Sequence, residues 1–150
     1  MSSTYIDISL ISSITSISLS AIGVNCRGLM VLNISECGNI TDVSVSAVAR
    51  SCPLLTDINI SWCDEMTDVS LLAVAHGYPL LIEIILSWYD IITDVGVSAQ
   101  VENCHNLKSM NTIRCGNISL NDLSLCKNYP RLRIVSAYDS NNLPLINTLN

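Results

Sequence analysis

Phenylalanine is absent from this 150-residue chain, and aromatic residues of every kind make up only 5% of it. A core of interlocked rings is therefore excluded. Apolar residues still reach 49%, so the interior has to be built from Ile, Leu, Val, Ala and Cys, which suit thin stacked layers. Basic residues are scarce and unevenly placed. Residues 1–100 hold two of them against ten acidic side chains, and residues 101–150 hold five against three, for a net charge of −6. An acidic surface of that kind repels phosphate backbones. Nucleic acid is excluded as the expected partner, although Lys108, Lys127, Arg131 and Arg133 make a small basic end. Serine interrupts the N-terminal Ile/Leu stretch throughout. No apolar run reaches the roughly 18 residues of a membrane span, and no membrane partner is expected. Residues 1–25 lack Lys and Arg, so the basic start of a secretory signal is missing too.

What is present is a period. ITD at 40–42 returns as MTD at 66–68 and ITD at 92–94, each 26 residues on. The same step carries Cys26 to Cys52, Cys37 to Cys63, Leu55 to Leu81 to Leu107, and Trp62 to Trp88. Residues 29–131 hold four clear copies, the last one residue short; 3–28 read as a degenerate copy and 132–150 as a decayed one, roughly five and a half in all. One supersecondary unit is being copied and stacked, which is the signature of a solenoid.

Each copy holds two signals. Alternation in Leu32-Asn33-Ile34-Ser35, Ile58-Asn59-Ile60-Ser61 and Ile84-Ile85-Leu86-Ser87 predicts a short strand with one buried face. After the Thr-Asp pair, Val43, Val45, Val48 and Ala49, then Val69, Leu72, Ala73 and Ala75, predict a helix of about two turns with these residues facing the core. Thr41, Asp42 and their copies suit its N-cap, where side-chain oxygens accept orphan backbone N–H groups. Pro53, Pro79 and Pro130 fall just past the helix. Such a unit is too small to bury its own apolar side, so neighbours must stack. The expected architecture is α/β: every strand runs the same way in one parallel sheet on the concave side of a horseshoe arc, with helices on the convex side. Positions 32, 58, 84 and 110 form one buried column; 34, 60, 86 and 112 form a second.

Seven cysteines raise the question of metal. Cys37, Cys63 and Cys115 share one slot; Cys26, Cys52 and Cys104 share another. The commonest spacing is C-x10-C, whereas zinc sites favour pairs two to four residues apart. Tyr78 and Tyr89 also stand in those slots, which a ligand position would not tolerate. The cysteines read as small buried hydrophobes, with off-register Cys126 the exception, and no metal or other cofactor is expected. Reduced thiols imply a cytoplasmic or nuclear location. The sequons at Asn33, Asn39, Asn59 and Asn117 are by-products of the repeat. His76 and His105 lie at helix ends of different copies without an orienting partner, and no G-x-S-x-G, Gly-rich phosphate loop or H-E-x-x-H occurs. The chain does not read as an enzyme. Asp42, Asp68 and Asp94 would stack along the solenoid, and capping accounts for them.

The pattern L-x-L-x-x-C-x-x-I-T-D, with a second Cys after the helix, resembles the cysteine-containing subclass of leucine-rich repeats, most clearly over residues 29–115. That subclass is best known from F-box/leucine-rich-repeat proteins, the substrate receptors of SCF-type ubiquitin ligases. The resemblance implies a single leucine-rich-repeat domain over 1–150 that serves as a recognition array. In such proteins an F-box precedes the repeats; here the register starts near Ile6 and no F-box is expected in the chain, so ligase components would be reached through a missing upstream region.

Residues that the fold does not need point to the binding face. Asn33, Asp57, Asn59, Glu83, Ile85 and Asn111 should face solvent from the sheet, and Glu36, Trp62, Trp88 and Arg114 should line the strand ends. Trp62 and Trp88 would lie side by side, where large aromatics make binding hot spots. Asp57 and Glu83 suit a basic or polar segment of a partner protein. Neither end looks like a polar cap. The function expected is protein–protein interaction: a substrate-recognition array of an SCF-type ubiquitin pathway, a general interaction scaffold, or a remnant of an expanded repeat family.

Overall fold

The computed structural model describes residues 4–119, 129, 131–138 and 144–148. Strands and helices alternate from the start: β1 Tyr5–Asp7, α1 Ser16–Asn25, β2 Val31–Asn33, α2 Asp42–Ser51, β3 Asp57–Asn59, α3 Asp68–Gly77, β4 Glu83–Ile85, α4 Asp94–Asn103, β5 Ser109–Asn111, β6 Arg133–Tyr138 and β7 Pro144–Thr148. All the strands belong to one sheet in sequence order. Ile6, Leu32, Ile58, Ile84, Met110 and Ile134 pair in one cross-sheet row, so the 26-residue step of the sequence is the strand-to-strand step of the structure up to β5. The expected helix of the fourth copy, together with Cys126, Lys127 and Pro130, lies outside the described residues.

Both expected columns are buried: Leu32, Ile58, Ile84 and Met110 in one, Ile34, Ile60, Leu86 and Thr112 in the other. The helices pack on this side of the strands, with Val45, Val48, Leu71, Val74 and Val97 joining the same core. The other sheet face holds the flanking strand residues, which are half-buried.

Three expectations are corrected. The helices run ten residues, about 15 Å and nearly three turns rather than two. Their buried stripe is also shifted. Val43 and Val69 are 73% and 56% exposed, and Leu72 is exposed too, while Ser44, Val45, Val48, Ala49 and Ser70, Leu71, Val74, Ala75 face the core. Helices α2, α3 and α4 each start at the Asp, which sets their phase; a residue two places before Val45 lies about 200° around the helix from it. Finally, the sheet is not wholly parallel. β7 turns back and pairs antiparallel with β6, Val135 opposite Ile146. Only residues 139–143 separate the two strands, and a parallel return needs a crossover of about a dozen residues or more.

Capping divides between repeats. Thr67 and Thr93 accept from Val69 N and Val95 N at 3.2 Å, as N-caps of their own helices, while Thr41 makes no side-chain cap. The aspartates reach across instead. Asp42 accepts from Thr67 N (2.9 Å), Thr67 Oγ1 (2.7 Å), Ser70 N (3.1 Å) and Ser70 Oγ. Asp68 accepts from Thr93 N and Oγ1, and Asp94 from Ser119 N. Each carboxylate thus satisfies orphan donors of the next unit, and in doing so ties two repeats together.

Candidate functional site

After each strand the chain has to turn towards its helix, and the turn is built the same way in most copies. The side-chain oxygens of Asp7, Asn33, Asn59 and Asn111 accept from the backbone N–H two residues on, at 3.0–3.1 Å. These Asx turns precede left-handed backbone at Leu10, Glu36, Trp62 and Arg114, and Trp88 has the same conformation in the copy without one; all five have φ between 57° and 69°. None is glycine, so each carries a steric cost of roughly 1–2 kcal/mol. Ile85 cannot make the turn. In its copy Ser87 N donates to Ser61 Oγ at 3.1 Å instead, and Ser61 is buried rather than facing solvent.

One slot thus recurs along the strand ends, and its occupants stack. The Trp62 and Trp88 rings lie 4.4 Å apart between centroids, 27° from parallel. The Arg114 guanidinium sits 5.2 Å from the Trp88 centroid. Both indoles remain 44% exposed. Glu36 occupies the slot before Trp62, is exposed, and its side chain makes no hydrogen bond or ion pair among the described residues.

The remaining expected site residues gather on the free sheet face. Asn33, Asp57, Asn59, Glu83 and Ile85 line a shallow groove of about 370 Å³; Asn111 lies beyond it, one strand along from Ile85. Asp57 and Glu83 are register neighbours on β3 and β4, and Asp57 accepts from Thr56 Oγ1 at 2.6 Å. Asn33 donates to Asp7 at 3.1 Å. Donors from Ser9, Asn33 and Tyr5 hold the Asp7 carboxyl below its usual range. The amides of Asn33, Asn59 and Asn111 therefore have a turn-building role that the sequence did not reveal. Tyr5 and Val31 also line the groove and were missed. The signal available was their position in the row of Asp57 and Glu83.

The cysteine slots are buried apart from the half-buried Cys26. The six thiols among the described residues are unpaired, and those after the strand are donors as well as hydrophobes. Cys37, Cys63 and Cys115 donate to the carbonyls of Ile8, Ile34 and Leu86 at 3.0–3.1 Å. Burial pushes the Cys63 and Cys104 thiols up to about 11. His76 Nδ1 donates back to the Leu72 carbonyl at 2.6 Å in its own helix, and His105 is exposed. Among the described residues no group of three or more His, Cys, Asp or Glu is placed to hold a metal ion, and no helix is long and apolar enough to cross a membrane.

These features define an α/β repeat protein of the leucine-rich-repeat-like kind, in which parallel strands alternate with helices. Compared with known proteins, the sequence matches no family model and no curated protein. Among solved structures, the fold is similar to a chain in the crystal structure of the Rad7 and Elc1 complex in yeast, with a TM-score of 0.60 and 20% identity over 87% of this chain. The present chain spans 40% of the length of that one. At such identity the likeness is one of fold.

Proposed function

We infer that this chain is a non-catalytic protein-interaction module whose exposed indole pair and acidic sheet face hold a segment of a partner protein. The observation that carries this reading is the Trp62–Trp88 stack: two half-exposed indoles in strained backbone, in a slot that Leu10, Glu36 and Arg114 fill elsewhere. The fold does not require Trp there, and interface energy concentrates on such aromatics. The groove beside them carries Asp57 and Glu83, which favours a basic or polar segment and disfavours nucleic acid.

The ligase setting is part of the same proposal. It is supported by the resemblance of the repeat to F-box/leucine-rich-repeat receptors, and by fold likeness to a chain crystallised together with a protein partner. In this reading the array selects the substrate, ligase components bind elsewhere, and the unpaired thiols suit the cytoplasm or nucleus. Affinity purification with mass spectrometry tests it. The wild-type chain should retain a defined partner that the double variant Trp62→Ala, Trp88→Ala loses, while the melting temperature moves by no more than about 3 °C. Recovery of a cullin and its adaptor supports the ligase setting; a partner without them leaves a general scaffold. Retention of the partner by the double variant overturns the site.

A further inference from the structure

The strand-end column has a polarity. Read in chain order it runs Glu36, Trp62, Trp88, Arg114, all in the same left-handed conformation. Trp88 has an aromatic or cationic neighbour on both sides, the Trp62 ring from the repeat before and the Arg114 guanidinium from the repeat after, while its edge stays exposed like that of Trp62. Among the described residues, Trp62 has a neighbouring ring on the Trp88 side only. Its other side faces the slot of Glu36, an acidic residue without a side-chain hydrogen bond or ion pair among the described residues.

We propose that the open face of Trp62, bounded by Glu36, is a receptor for an arginine side chain of the partner protein. This rests on the interaction reading above and gives it a chemical class. The chain itself displays the mode: Arg114 on Trp88 is a guanidinium on an indole face, and an incoming arginine on Trp62 would repeat it at the opposite end of the stack. Planar guanidinium suits this place better than ammonium, because it stacks on the ring while its edge donors meet the carboxylate. The adjoining sheet face supplies the field. Asp57 and Glu83 stand in register on neighbouring strands, a like-charge pairing that opposes folding and that a bound cation relieves. The nearest arginine in that row, Arg133, is two strands from Glu83.

The test uses the full chain and two synthetic probes, a hexa-arginine and a hexa-glutamate peptide, followed by tryptophan fluorescence and by isothermal titration. Hexa-arginine should bind saturably, weaken as salt rises from about 50 to 300 mM, and lose about tenfold in affinity with Glu36→Gln. Trp62→Ala should lose at least as much, whereas Trp62→Phe, which keeps a ring, should lose less. Circular dichroism confirms that each variant is folded; Glu36→Gln changes an exposed side chain without altering its length. Equal binding of hexa-arginine by wild type and Glu36→Gln overturns the proposal, as does comparable binding of hexa-glutamate. A partner captured by wild type, lost by the double Trp variant and retained by Glu36→Gln would leave the interface standing and remove the arginine receptor alone.

Discussion

Two tyrosines stand in cysteine slots, and they fare differently. Tyr89 replaces the thiol as a donor. Its hydroxyl donates to the Ile60 carbonyl and accepts from Cys63 N at 3.3 Å. Tyr78, fully buried, has a hydroxyl with no hydrogen-bond partner among the described residues. Burial pushes both phenols far up and keeps them neutral. Opposite signs follow for the same deletion. Tyr78→Phe removes an unsatisfied polar atom at constant shape and should raise unfolding stability by about 1 kcal/mol or more. Tyr89→Phe strands a buried acceptor and donor and should lower it by about 1–3 kcal/mol. Urea denaturation of both variants checks this, and two changes of the same sign would contradict it. The period placed both residues inside the slots; whether a carbonyl lies within reach of each hydroxyl is a matter of packing that no periodicity contains.

At the level of the element, a helix start here is held both by its own Thr and by the Asp of the unit before. Asp42 has desolvation pushing its carboxyl up, but donors from Ser70 and Thr67 outweigh it and hold the group below its usual range. A carboxyl depressed in the folded state contributes stability that is complete above its unfolded value, near pH 4, and is lost as pH falls through the folded value. Asp42→Ala should therefore cost about 2 kcal/mol at neutral pH, with the difference from wild type shrinking as pH drops below about 4. Asp68→Ala should cost less. Gly96 stands where Ser70 stands one copy earlier, so the hydroxyl that Asp42 receives has no counterpart for Asp68. A Cβ at position 96 would come within 2.5 Å of Asp68 Oδ1 and of Leu71 Cδ1, so the carboxylate and the leucine tip would both have to shift to admit one. Thermal melts of both variants from about pH 2.5 to 7, a span that brackets the carboxylate values, measure the two costs; an equal loss would contradict the reading. The sequence identified Thr-Asp as the helix start and placed the caps of Thr67 and Thr93 correctly, yet it assigned the Asp oxygens to the same helix, because their recipient lies 25 residues on.

For the whole molecule, cohesion is between neighbours: α1 meets α2, α2 meets α3, and α3 meets α4. Stability is then close to a sum of units and interfaces, and the ends matter most. The hairpin of β6 and β7 changes the character of one end. A parallel ladder offers its edge to the next copy, whereas here the edge of β6 is occupied by a strand running the other way. Deleting residues 139–150 should expose that edge and cause concentration-dependent association, seen by light scattering. A truncated chain that stays monomeric and equally soluble would show that β7 does not protect the sheet.

The residue order alone established the repeat, its length, the two buried columns and the interior place of Cys37, Cys52, Cys63, Cys104 and Cys115, since copying one unit imposes the same demands at the same slots. It also singled out Trp62, Trp88 and Glu36. Tertiary structure alone decided the phase of each helix, the aspartates' grip on the following unit, the left-handed turns, the Trp62–Trp88–Arg114 stack and the reversal of the last strand. A period states which positions are equivalent. Which atoms of successive units actually touch depends on the rise and rotation between them, and those exist only once the units are stacked.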